Sequence, residues 1–164
     1  MISFHTVVDE LDSLNRRTDQ VYETDARIIY LTSTIRIRLH QRCFREKVLR
    51  AYQSQCSLCK LKHIELLDAA HILPDGDPES KPIVTNGISL CKLHHAAFDS
   101  LIIGITPDYK IEIRKDVLNE TDGPMLQHGL KVLHNSNIIL PKIKRDWPDK
   151  DLLDRRYQWF RNVS

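Results

Sequence analysis

The chain has 164 residues and a formal net charge of +2, enough for one domain with a buried core and too little charge to argue for nucleic acid by itself. No apolar run is long enough to span a bilayer, and the first residues lack the basic flank and apolar stretch of a secretion signal. These features speak against a membrane protein and lead us to expect an intracellular, cytoplasmic one.

Residues 1–26 are acidic, with Asp9, Glu10, Asp12, Asp19, Glu23 and Asp25 against Arg16 and Arg17. They read as a lead-in arm or linker, and 27–164 as the domain. The bias then reverses: Arg27, Arg36, Arg38, Arg42, Arg45, Lys47 and Arg50 stand against the single acid Glu46. Such a boundary suits a chain that offers one face to an anion, although charge alone is equally met by a solvated surface. Ile35, Ile37 and Leu39 alternate, which predicts a strand over Thr34–Leu39. Phe44, Val48, Leu49 and Tyr52 recur at helical spacing and predict a helix over Gln41–Gln53, with Arg42, Arg45, Lys47 and Arg50 facing out. Strands follow at Ile64–Ile72 and Val84–Leu90, separated by a Pro/Asp/Gly-rich loop. Leu93–Leu101 reads as a helix and Ile103–Ile113 as a hairpin turning at Pro107-Asp108. A last helix over Asp149–Asn162 has Asp149 as N-cap. The class is α+β.

Four cysteines are present: Cys43, Cys56, Cys59 and Cys91. In a reducing compartment short cysteine spacings point to metal before disulfide. Cys56-x2-Cys59 and Cys91-x2-His94 supply four soft ligands in two short pairs, the economical way to build a closed tetrahedral structural zinc site. Cys43 has no close partner and reads as a core residue or a free thiol.

A second set of residues interleaves with the first. His95 follows His94 and points about 100° away from it on a helix, so the two serve different ends. Asp99 lies on the same face as His95. An imidazole and a carboxylate together suit a hydrated divalent cation such as Mg²⁺ or Mn²⁺. His71 ends a strand and has the near-neutral titration of a general base; Asn86 is able to fix a backbone group or the imidazole. Singly, each has a structural explanation: a satisfied strand-edge histidine, a turn asparagine, a loop aspartate paired with Lys92. Strand alternation aims Asp68 at the face opposite His71.

The runs Ala69-Ala70-His71-Ile72-Leu73-Pro74, Asn86-Gly87-Ile88-Ser89-Leu90-Cys91 and His94-His95-Ala96-Ala97-Phe98-Asp99 resemble the HNH (ββα-metal) endonucleases, in particular the restriction-type branch. The resemblance implies a treble-clef-like ββα-metal core with structural zinc, flanking helices and a β-hairpin. It implies His71 as general base, Asn86 as the central N, and His95 and Asp99 as ligands of the catalytic metal. Many members carry a further ligand just before the base; this chain has Ala70 there, which leaves water and phosphate oxygens to complete the shell. The expected activity is hydrolysis of DNA phosphodiesters in a restriction or defence role. Arg42, Arg45, Arg50, Lys142, Lys144, Arg155 and Arg156 are the expected phosphate contacts. A separate recognition domain or subunit fits this reading, and a homodimer is left open. The competing reading is a zinc-stapled DNA-binding or interaction module without catalysis.

Overall fold

A computed structural model describes residues 29–32, 38–121 and 123–164 of the chain. The acidic lead-in at 1–26 lies outside the described residues. The chain divides into two units, Met1–His40 and Gln41–Ser164. In the first, residues 29–32 and 38–40 are helical. Leu39, expected to end a strand, is therefore helical; residues 34–37 of that expected strand are not described. Three alternating apolar residues are a short signal, and Arg38, Leu39 and Gln41 all favour a helix by propensity.

The second unit begins with helix α1, residues 41–51. Its apolar stripe, Phe44, Val48 and Leu49, is buried, while Arg42, Lys47 and Arg50 are exposed as the helical period requires. Cys43 is exposed, so of its two readings the free thiol holds. A five-residue strand β1 (Leu67–His71) pairs antiparallel with β2 (Gly87–Cys91), with Leu67 opposite Cys91 and His71 opposite Gly87. Both strands are shorter than their apolar runs suggest. Each is preceded by a 3₁₀ turn, Ile64–Leu66 and Val84–Asn86, because no partner strand extends beyond the five paired positions. Helix α2 (Lys92–Asp99) leaves β2 without a connecting loop, with Cys91 itself as N-cap.

Strands β3 (Ile103–Ile105) and β4 (Ile111–Ile113) form the expected hairpin. Short helices α3 (Lys115–Asn119) and α4 (Pro124–Gly129) follow, and α5 (Lys150–Arg161) closes the chain. The Asp149 carboxylate caps α5 by accepting from the amides of Asp151 and Leu152. Phe160 of α5 lies over β3 at Gly104, where a Cβ would stand 2.5 Å from its ring. The core is continuous from α1 through both hairpins, with Tyr52, Leu67, Ile88, Leu90, Phe98 and Ile111 fully buried. Among the described residues no helix is long and apolar enough to cross a membrane.

Gly87 is fixed by contact with α1. A Cβ there would lie 2.5 Å from Val48 Cγ2 and 2.8 Å from Phe44 Cζ. Gly87→Ala is expected to force both side chains aside, at the cost of about 1–3 kcal/mol usual for overpacking. The check is thermal melting, which should drop by several degrees; an unchanged melting temperature would show that α1 yields freely.

Candidate active site and metal centre

The loop after α1 folds back on itself: the Lys60 amide donates to Cys56 O at 3.0 Å and the Cys56 amide to Leu61 O at 2.8 Å. Lys60 closes the turn in the left-handed region, at φ 65°. This places Cys56 and Cys59 beside the end of β2 and the first turn of α2, which carry Cys91 and His94. The four ligand atoms lie within 4.8 Å of one another. Cys56 Sγ and Cys91 Sγ are 3.3 and 3.2 Å from His94 Nδ1, and the Sγ atoms of Cys59 and Cys91 are 3.9 Å apart. Ligands at zinc's usual bond lengths in a tetrahedron are separated by about 3.3–3.8 Å, so the four donors fit that ion as they stand.

His94 is 1% exposed and its outward Nε2 lies 2.8 Å from Gly129 O. That carbonyl, at the end of α4, fixes which ring nitrogen faces the thiols, a common support for a metal-bound histidine. Sequence pattern gave no sign of it. The same crowding sets the thiols against one another. The hydrogen bond between Cys56 and Cys91 holds Cys56 below the ordinary thiol value and, with burial, pushes Cys91 up to about 11. A divalent cation among them would remove that competition.

The second group of residues gathers on the other side of α2. His71, at the end of β1, stacks on Phe44 of α1, with ring centroids 4.0 Å apart and planes 12° from parallel. Its Nε2 is buried and has no hydrogen-bond partner. Asp75 Oδ1 comes within 3.1 Å but out of alignment for a hydrogen bond. Burial lowers the His71 pKa from the ordinary histidine value; Asp75 and Asp99 oppose that effect and His95 adds to it. His71 thus shares one electrostatic environment with the α2 pair. In that pair His95 Nε2 is 3.2 Å from Asp99 Oδ2. Two adjacent ligands of an octahedral Mg²⁺ lie about 3 Å apart, so this pair fits one edge of such a shell. Ala70 is fully buried in the core and adds no ligand.

Asp68 belongs to this group too, although strand alternation set it apart from His71. Its Oδ2 is 3.7 Å from His95 Nδ1 and accepts from Lys92 Nζ at 2.9 Å. Helix α2 packs on β1 closely enough to bring His95 to Asp68, which periodicity along a single strand does not reveal. The Asp68 carboxylate raises the His95 pKa, and Asp99 adds to this.

Asn86 is fully buried, and its side-chain hydrogen bonds go elsewhere than to the His71 ring. Its Oδ1 accepts from the Leu73 amide at 2.9 Å, and its Nδ2 donates to Leu73 O, Ser80 Oγ and Lys81 O. Of the two partners open to it, it takes backbone: it pins the loop that leaves β1 just beyond His71.

The expected phosphate contacts differ among themselves. Arg42 pairs with Glu46 at 3.1 Å, and Arg45 donates to Ile64 O and Leu67 O, tying α1 to β1. Arg155 is engaged by Asp77 and Glu79. Arg156 corrects the expectation of a surface cation. It is 8% exposed, lies over the Phe98 and Trp159 rings, and donates to Phe98 O at 2.9 Å at the end of α2. Its place on α5 follows from the same periodicity that buries Leu153 and Phe160. Among the described residues, Arg50 and Lys142 have no ion pair, and Lys144 lies 6.0 Å over the Trp147 ring.

Residues 56–106 match the family model HNH_2, described as HNH endonuclease. A search of curated proteins finds no match. Among solved structures the chain is similar to a "Modification dependent TagI restriction endonuclease", at 19% identity and a TM-score of 0.50. The match covers 73% of this chain and 38% of the other, so this chain spans well under half of that protein. At this identity the likeness shows a common fold. Both metal-type ligand pairs and the His-Asn-His residues lie inside the segment that matches the HNH endonuclease model.

Proposed function

We propose that the chain hydrolyses DNA phosphodiester bonds with His71 as general base and a divalent metal, Mg²⁺ or Mn²⁺, on His95 and Asp99. The observation that carries this reading is the buried Nε2 of His71, which makes no hydrogen bond and has Asp75 at 3.1 Å, in the same electrostatic environment as the His95–Asp99 pair. A neutral imidazole with a free lone pair accepts a proton from water. The hydroxide so formed attacks phosphorus in line, the P–O3′ bond breaks, and the 3′ oxygen leaves and takes up a proton. The strand then ends in a 5′-phosphate and a 3′-hydroxyl. When bound, the metal supplies stabilisation of the charge that develops on the phosphoryl oxygens. Phe44 holds the His71 ring by stacking, Asn86 holds the loop beyond it, and Asp68 orients His95 so that Nε2 faces Asp99.

The Cys56, Cys59, Cys91 and His94 site holds structural Zn²⁺ in this reading. The closed donor set leaves no position for substrate. A role in restriction or defence is supported by the fold shared with a restriction endonuclease, and the longer chain of that protein suits recognition by a further domain or subunit.

Asp99→Ala tests the ligand assignment. Removing one of two protein ligands should raise the Mg²⁺ concentration needed for half-maximal nicking by at least about tenfold, in the range seen for loss of metal-site interactions. Parental rates at limiting Mg²⁺ would remove Asp99 from the metal site.

A further inference from the structure

A cleft of about 420 Å³ opens between the last turns of α1 and the segment that follows Pro141. Lys47, Arg50 and Ala51 line it from α1, Lys142, Ile143 and Arg145 from the segment after Pro141, and Val84 adds to the apolar part of the lining. Lys47 and Ala51 are one helical turn apart with Arg50 beside them, so α1 presents these residues on one face. Beside the cleft, the Asp149 amide donates to Thr85 O at 2.9 Å and ties the segment after Pro141 to the turn that carries Val84. One carboxylate, Asp146, enters the cleft, and it lies 3.7 Å from Arg145 Nε. Lys47, Arg50 and Lys142 are exposed and have no ion pair among the described residues. Three uncompensated cations around an apolar concavity call for an anion with an apolar part attached.

Position narrows the choice. Phe44, which stacks on His71, lies on the same helix three and six residues before Lys47 and Arg50. At 1.5 Å per residue these cations stand about 4.5 and 9 Å further along the axis. That is the distance scale of neighbouring phosphates on one strand, and backbone phosphates are what such cations neutralise in nucleic-acid complexes. We propose that this cleft seats a backbone phosphate and its sugar from the DNA strand flanking the scissile position, with Lys47, Arg50 and Lys142 on the phosphate and Ala51, Val84 and Ile143 against the sugar. The proposal rests on the nuclease reading for its ligand and adds a second contact that positions the strand without taking part in the chemistry.

The test measures affinity for a short DNA duplex in EDTA by fluorescence anisotropy at several salt concentrations. The parent is compared with Lys47→Gln/Arg50→Gln/Lys142→Gln and with a control that removes equal charge elsewhere, Lys62→Gln/Lys115→Gln/Arg161→Gln. A third variant, Lys47→Arg/Arg50→Lys/Lys142→Arg, keeps the cleft charge. The cleft variant should bind at least about tenfold more weakly, with a salt slope shallower by about 1, since one neutralised phosphate contributes roughly 0.9. The control and the charge-keeping variant should stay near the parent. Equal losses in the cleft variant and the control, or a parent that does not bind the duplex, would overturn the proposal. Nicking in Mg²⁺ is read separately. A parent that binds through the cleft and never nicks contradicts the nuclease reading and leaves the cleft standing.

Discussion

Cys56→Ser should abolish the folded state of residues 41–164 under conditions in which the parent is fully native. Cys56 is fully exposed to none of the solvent, sitting at 0% accessibility beneath His94 Nδ1 and close to Cys91. The loop that carries it has few apolar anchors of its own, Leu58 being the main one. The free energy of a structural zinc is about 10–16 kcal/mol in small zinc domains, comparable with the whole stability of about 5–15 kcal/mol of an ordinary domain. Serine is a poor zinc ligand, and its hydroxyl would be buried among thiols. Zinc analysis of protein purified without added metal should give about one ion per parental chain and a small fraction of that for the variant. Circular dichroism should show loss of the cooperative transition. A Cys56→Ser chain that melts like the parent would contradict a structural role for the cluster.

His71→Ala should lower nicking by a factor of about 10²–10⁴, the usual contribution of a positioned general base. Zinc content and duplex affinity should stay near parental, because neither depends on the imidazole. The truncation also removes the partner stacked on Phe44, so some loss of melting temperature is expected. His71→Asn, which keeps more of the packing, should be nearly as inactive while melting closer to the parent. The pH profile adds an independent sign. Only neutral imidazole accepts the proton, and burial lowers the His71 pKa below the ordinary value of about 6.5. The parental rate at saturating metal should therefore climb with pH and level off below the ordinary histidine midpoint. Metal must be saturating because Asp68 raises the His95 pKa, so protons compete with the ion to higher pH there. Stability follows the same sign at His71. The unfolded chain takes up that proton more readily than the folded one, so the group's contribution is present above about pH 6.5 and is lost as pH falls through the lowered value. A variant that nicks at the parental rate per folded molecule would remove His71 from the mechanism.

The parts of this structure that were legible beforehand are those written in short-range pattern. Two x2 ligand pairs, the stripe Phe44–Val48–Leu49, the hairpin around Pro107-Asp108 and the Asp149 cap each express local geometry, and each is found in place. Less accessible was whatever depends on how elements cross. Asp68 meets His95 because α2 packs across β1, and Gly129 reaches His94 because α4 folds against α2; neither contact has a sequence period. Arg156 looked like one more basic residue, yet an amphipathic helix buries a charge at a core-facing position when backbone carbonyls and aromatic faces receive it. Helices α3 and α4 are too short for a periodic signal to accumulate. Leu39 shows the converse error: placed at the end of a strand by a period of three residues, it is helical.

The central claim is that the His71, His95 and Asp99 group is a metal-dependent nuclease centre on a fold held by separate ligands. Nicking of supercoiled plasmid by the purified chain measures it most directly, with brief EDTA treatment followed by added Mg²⁺ or Mn²⁺ and with circular dichroism recorded on the same samples. The account predicts nicking that EDTA abolishes and Mg²⁺ or Mn²⁺ restores while the spectrum stays unchanged throughout, because the hydrated site exchanges its metal quickly and the Cys56, Cys59, Cys91 and His94 site does not. Nicking that persists at full rate in EDTA, or a folded, zinc-loaded chain that nicks under none of these metals, would contradict it.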